Sequence, residues 1–180
     1  MLPHFLEKTD FIEPGSRAAD LARLATVLGF VGMLRPHTFA QLRPASFTFV
    51  LWDEQLLTTQ TTSSSFRTLA LQFPAMRNVL GFYITFRSKT MASARAYFPN
   101  LSSSPGPLNP MCPLALLLSA AKRNWVKAEF LKKAGRGDTL GKYLQLLTTC
   151  EDPISPYALR IGGRTWYVSH GLDRQFCDYL

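Results

Sequence analysis

Apolar residues along the chain follow two different periods, and the switch between them outlines the fold. After Glu13-Pro14-Gly15-Ser16, Leu21, Leu24, Leu28 and Val31 recur at helical spacing. This pattern predicts an amphipathic helix with Ser16 as its N-cap and Gly32 and Pro36 marking its end. From Ser46 to Trp52 the period becomes two, with Phe47, Phe49 and Leu51 on one side of a predicted strand. Gly81 to Ser88 predicts a second strand, and Ala94 to Phe98 should pair with it as a hairpin across Lys89-Thr90-Met91.

Helical spacing then returns. Pro113 to Trp125 predicts a helix, as does Asp138 to Cys150 through Leu140, Leu144 and Leu147. Ser155-Pro156 has the form of an N-cap followed by proline at the first helical position, opening a helix to about Ser169. Gly171 stands where a glycine stop is expected, and Asp173 to Leu180 begins a further helix. Thr58 to Ser65 and Asn100 to Pro110 lack periodicity and predict loops, while Phe66 to Leu80 predicts a short helix broken at Pro74. With no internal repeat and no internal boundary, the expectation is one domain over 1–180. Its class is α+β, mainly helical with a small antiparallel β-sheet.

A length of 180 residues fits one domain, and 47% apolar with 18% charged residues excludes wholesale disorder. Charge adds a partner class. Twenty Lys and Arg stand against 12 Asp and Glu, a net +8, and the pI is near 9.7. That excess points to a polyanion, nucleic acid first and an anionic membrane surface second. No apolar run approaches the ~20 residues of a membrane helix, and the N-terminus lacks the layout of a secretory signal. Cys112, Cys150 and Cys177 form no CxxC or Cys/His ligand pattern, so no metal is expected. Each reads as a small buried apolar residue in a reduced, intracellular compartment.

Known catalytic motifs are absent: there is no P-loop, dinucleotide fingerprint, HExxH or nucleophile elbow, and no cofactor is expected. His4, His37 and His170 fall in no triad or metal arrangement, and His170 beside Gly171 suits a helix C-terminus. What remains are cations at definite places. Arg35 follows the end of a helix and Lys89 lies at a hairpin tip. Tyr157, Arg160 and Arg164 share a helix face at i, i+3 and i, i+4 spacing. Two guanidinium forks meeting on one phosphodiester offset the charge that develops during its displacement. A lysine can protonate a leaving oxygen as general acid.

Taken in order, these segments resemble the catalytic domain of the tyrosine recombinase (phage-integrase) family. Leu28-Gly-Phe-Val-Gly-Met-Leu-Arg-Pro36 resembles the box of the first catalytic arginine, and Phe86-Arg-Ser-Lys-Thr90 the hairpin of the catalytic lysine. Cys112-Pro-Leu-Ala-Leu116 resembles the opening of the next helix. Ser155-Pro-Tyr-Ala-Leu-Arg-Ile-Gly-Gly163 is similar to the second arginine box, His-x-x-Arg, in the form carried by Crypton and DIRS-type eukaryotic mobile elements. The resemblance covers about Ala18 to Leu180.

By that resemblance Arg35 and Arg160 clamp the scissile phosphate of duplex DNA, Lys89 is the general acid, and Arg87 and Arg164 contact DNA. Tyr157 takes the first histidine position, where a phenol donates a hydrogen bond but is a weaker neutral-pH base than imidazole. Thr38 replaces the acidic residue that usually follows the first arginine. By family spacing the nucleophilic tyrosine falls just beyond Leu180, because Tyr179 lies too close to Arg160. The expectation is therefore a C-terminally truncated recombinase domain that binds DNA without cleaving it. The resemblance leaves open a homo-oligomer on DNA and implies the nucleus if the source is eukaryotic. The alternatives are a non-catalytic protein-interaction domain and the product of an incomplete gene model.

Overall fold

The computed structural model describes residues 16–51, 56–58, 67–68, 71, 79–101, 112–132, 134, 140–141, 144–145 and 155–173. Within them the chain is a small α+β fold. Helix α1 runs Arg17–Val31, α2 is the single turn Pro36–Phe39, α3 is Pro113–Lys122 and α4 is Tyr157–Ser169. Strands β1 (Phe47–Leu51), β2 (Leu56–Thr58), β3 (Val79–Phe86) and β4 (Ala94–Pro99) form an antiparallel sheet in the order β2-β1-β3-β4.

Helix α1 starts where its cap dictates. The Ser16 side chain accepts from the Ala19 N–H at 3.2 Å and satisfies one of the free donors of the first turn. Leu21, Leu24 and Leu28 are buried, and Leu24 and Leu28 are wholly removed from water. A leucine buried to that extent contributes about 2 kcal/mol of transfer free energy. Val31, predicted on the same stripe, is only partly buried at the helix end.

The sheet faces the core with aromatic rings. Phe49 pairs with Phe82 across β1 and β3, and Phe82 with Phe98 across β3 and β4. Their ring centroids lie 6.1 and 5.1 Å apart, the distances at which aromatic pairs attract beyond simple burial. Phe47, Phe49, Phe82, Ile84 and Phe98 join the leucines of α1 and α3 in one cluster.

Several boundaries differ from expectation. Strand β3 begins at Val79 rather than Gly81, because Gly81 is an internal strand residue paired with Val50 and Pro99. The loop joining β3 to β4 spans residues 87–93, longer than Lys89-Thr90-Met91. Strand β2 was not anticipated; at three residues it is too short to show alternation. Helix α3 ends at Lys122, not Trp125, because Asn124 adopts a left-handed backbone (φ 58°). The N–H groups of Asn124 and Trp125 then return to the carbonyls of Ala121 and Ala120, the two bonds of a Schellman stop. Helix α4 ends the same way: Gly171 has φ 90°, and Gly171 and Leu172 donate back to Val168 and Tyr167. That glycine stop was predicted. The α4 start is offset by one residue, with Pro156 at the cap and the Ser155 hydroxyl accepting from the Tyr157 N–H at 3.3 Å.

Leu140 and Leu144 are helical and buried as predicted, whereas Leu147 lies outside the described residues. So do the 59–65 and 102–110 loop segments, Pro74, Cys150, Cys177, His4 and the helix predicted after Asp173. Cys112 is fully buried as expected, but its thiol is engaged as a polar group: it accepts from the Leu101 N–H at 3.4 Å and donates to Asn100 Oδ1 at 3.6 Å. Among the described residues no helix is long and apolar enough to cross a membrane.

Candidate functional site

The site is built where α4 crosses the end of α1. The last carbonyls of a helix have no intrahelical donor, and those at the end of α1 draw donors from α4. The Tyr167 hydroxyl donates to the Val31 carbonyl at 2.9 Å, and the Arg160 guanidinium donates through Nη1 to the Met33 carbonyl at 2.6 Å. Close approach depends on Gly163. A Cβ there would collide with the Phe30 carbonyl oxygen, whereas one at residue 162 would meet the Phe30 ring at an ordinary contact distance of 3.4 Å. Glycine inside a helix costs about 1 kcal/mol relative to alanine, and this contact is what that cost permits.

The chain leaves α1 through Gly32 and Met33. Met33 is held at φ 50°, a left-handed conformation rare outside glycine, with its side chain buried. That reversal delivers Arg35 to the N-cap position of α2, directly before Pro36. Thr38, in the family's acidic position, is buried, and its N–H donates to the Arg35 carbonyl at 2.9 Å.

Arg35 and Arg160 thereby line one cleft of about 520 Å³, together with Tyr157, Ile161, Arg164, Thr165, Val168 and Ser169. Three guanidinium groups border it, and among the described residues that line it none is acidic. The three guanidinium groups give the cleft a basic lining. Arg160 uses one N–H on Met33. A guanidinium carries five, enough to hold a backbone carbonyl and grip an oxyanion together. Tyr157 is 48% exposed at the first turn of α4, where a hydroxyl can donate to a bound anion. Ile161 and Val168 give the cleft an apolar side.

Of the six residues singled out from the sequence, four meet here: Arg35, Tyr157, Arg160 and Arg164. Lys89 and Arg87 are not among the lining residues and are exposed in the β3–β4 loop. That loop is tied to the region behind α2 by the Arg87 N–H, which donates to Gln41 Oε1 at 3.2 Å. His170 caps α4 as predicted: its ring stacks on Trp166 at 4.2 Å, with Nδ1 2.8 Å from the Trp166 carbonyl. Sequence reasoning missed Met33, Gly163 and Tyr167, which hold the corner together. The mid-helix Gly163 was the available signal, since a glycine inside a helix often has a packing reason.

No protein-family model, curated protein or solved structure matches this chain.

Proposed function

We propose that this chain is a tyrosine-recombinase-like catalytic domain that binds duplex DNA by clamping a backbone phosphate between Arg35 and Arg160. One observation carries this reading: two arginines distant in sequence line the same cleft, with Tyr157 and Arg164 beside them. The planar fork of a guanidinium can donate two hydrogen bonds to the non-bridging oxygens of a phosphodiester, and binding through such contacts is salt-sensitive and largely blind to sequence. Arg164 takes an adjoining phosphate and Tyr157 donates to the clamped one. Lys89, outside the cleft lining, contacts the flanking backbone.

Duplex affinity measured against salt tests this. The wild type should lose affinity steeply as salt rises, and the log–log slope should shrink by about one for each phosphate-contacting arginine changed to alanine. Arg35→Lys and Arg160→Lys, which keep the charge but lose the fork, separate bidentate clamping from general attraction. No duplex binding at low salt would end the proposal. The second reading, a protein-interaction domain, draws on exposed Ile161 (54%) beside the arginines, a surface suited to an acidic amphipathic peptide.

A further inference from the structure

The sheet turns its phenylalanines to the core, and its opposite face carries different chemistry. Tyr83 and Tyr97 stand directly across from each other on β3 and β4, with ring centroids 5.0 Å apart and planes tilted by 49°. Neither belongs to the core cluster, and Tyr97 is 44% exposed. Gly81 is the reason the Tyr97 ring lies down on the sheet. A Cβ there would stand 2.6 Å from the Tyr97 hydroxyl and 2.8 Å from its Cζ. The ring occupies that space, and its hydroxyl donates to the Leu80 carbonyl at 3.2 Å. Partial burial and the neighbouring Tyr83 hold this phenol above the usual tyrosine pKa, so it stays neutral. The result is a fixed aromatic surface rather than a pair of free rotors.

The charged residues carried by β3, β4 and the loop between them, Arg87, Lys89 and Arg95, are all basic. Arg95, exposed, is in register with Thr85, one same-face row from the tyrosine pair. Exposed Arg87 and Lys89 follow the end of β3.

We infer that this tyrosine face is a second nucleic-acid contact, and that it takes unpaired nucleotides. Bases stack on Tyr83 and Tyr97 while Arg95 holds the backbone between them. Unpaired bases are required because a duplex offers groove edges and phosphates but hides the ring faces. Aromatic rings also serve protein interfaces, and it is the run of basic residues beside these rings that favours a polyanionic strand. The tyrosine face shares no residue with the α4 cleft, so either surface can fail without the other.

The test is fluorescence anisotropy with a labelled oligo(dT) strand, an abasic strand of equal length and a duplex. Oligo(dT) should bind about tenfold more tightly than the abasic strand, the effect of roughly one stacked base. Tyr97→Leu or Tyr83→Leu should erase that difference, and Tyr97→Phe should keep it. Arg35→Ala/Arg160→Ala should weaken duplex binding and leave the ratio untouched. Circular dichroism melting shows whether a leucine variant remains folded. As a readout that needs no variant, a 5-iodouracil strand should crosslink to the wild type at Tyr83 or Tyr97. Equal affinity for oligo(dT) and abasic strands, or crosslinks confined to other segments, would overturn the inference.

Discussion

The corner where α4 crosses α1 and the loop joining β3 to β4 both carry cations, and they are built in opposite ways. At the corner, Arg160 is tied to a backbone carbonyl, Tyr167 to another, and Gly163 lies against a third, with Met33 held in a left-handed turn between them. In the loop, Lys89 sits among exposed residues, and the turn is fastened by Ser88, whose hydroxyl accepts from the Met91 N–H at 2.9 Å. An arginine fixed before the ligand arrives has little orientational entropy left to lose on binding; a lysine on an exposed loop must still be ordered. On the proposed reading the two regions therefore take different tasks, gripping at the corner and following the ligand at the hairpin.

The largest effect should come from filling the corner. Gly163→Val drives a side chain into the Phe30 carbonyl and should cost about 3 kcal/mol, as overpacking does. It should also abolish duplex binding, and urea unfolding beside anisotropy reads both. An unchanged unfolding midpoint would mean that α4 does not rest on α1. Next is Arg160→Ala, which leaves the Met33 carbonyl without that donor and should cost about 2 kcal/mol. Tyr167→Phe removes one hydrogen bond to Val31 and should cost about 1 kcal/mol. Its duplex affinity should fall although Tyr167 does not line the cleft.

Lys89→Ala should move stability by less than about 0.5 kcal/mol, as surface changes do, while lowering the salt slope of duplex binding by about one. A stability loss as large as that of Arg160→Ala would erase the contrast between corner and hairpin. The smallest effect is alkaline. Because the folded state raises the Tyr97 pKa through burial and then through Tyr83, its neutral form is favoured by folding. That contribution is complete below the ordinary tyrosine pKa and is lost as pH rises through the higher folded value. Stability should fall more steeply above pH ~10 in the wild type than in Tyr97→Phe, as thermal melts across that range would show.

Much of the scaffold was legible because its signals are local. Ser16 caps α1, Gly171 closes α4, and the alternation of Phe47 with Phe49 marks β1, each readable within a few residues. The misjudged boundaries had longer-range causes. Gly81 looks like a strand edge until Tyr97 is seen lying across it. Trp125 looks like more helix until Asn124 turns the backbone left-handed. At the site, spacing along α4 grouped Tyr157, Arg160 and Arg164, because a helix face can be computed from sequence. Bringing Arg35 to them depends on Met33, whose backbone carbonyl is the partner of Arg160 and leaves no trace in residue type.

The most direct measurement is a nuclear magnetic resonance titration of the protein with a short DNA duplex, following the Nε–Hε signals of its arginines. Clamping predicts that the Arg35 and Arg160 signals shift together and saturate at one stoichiometry, with Arg17, exposed at the start of α1, unaffected. Shifts that spare Arg35 and Arg160, or that spread evenly over exposed arginines including Arg17, would contradict it.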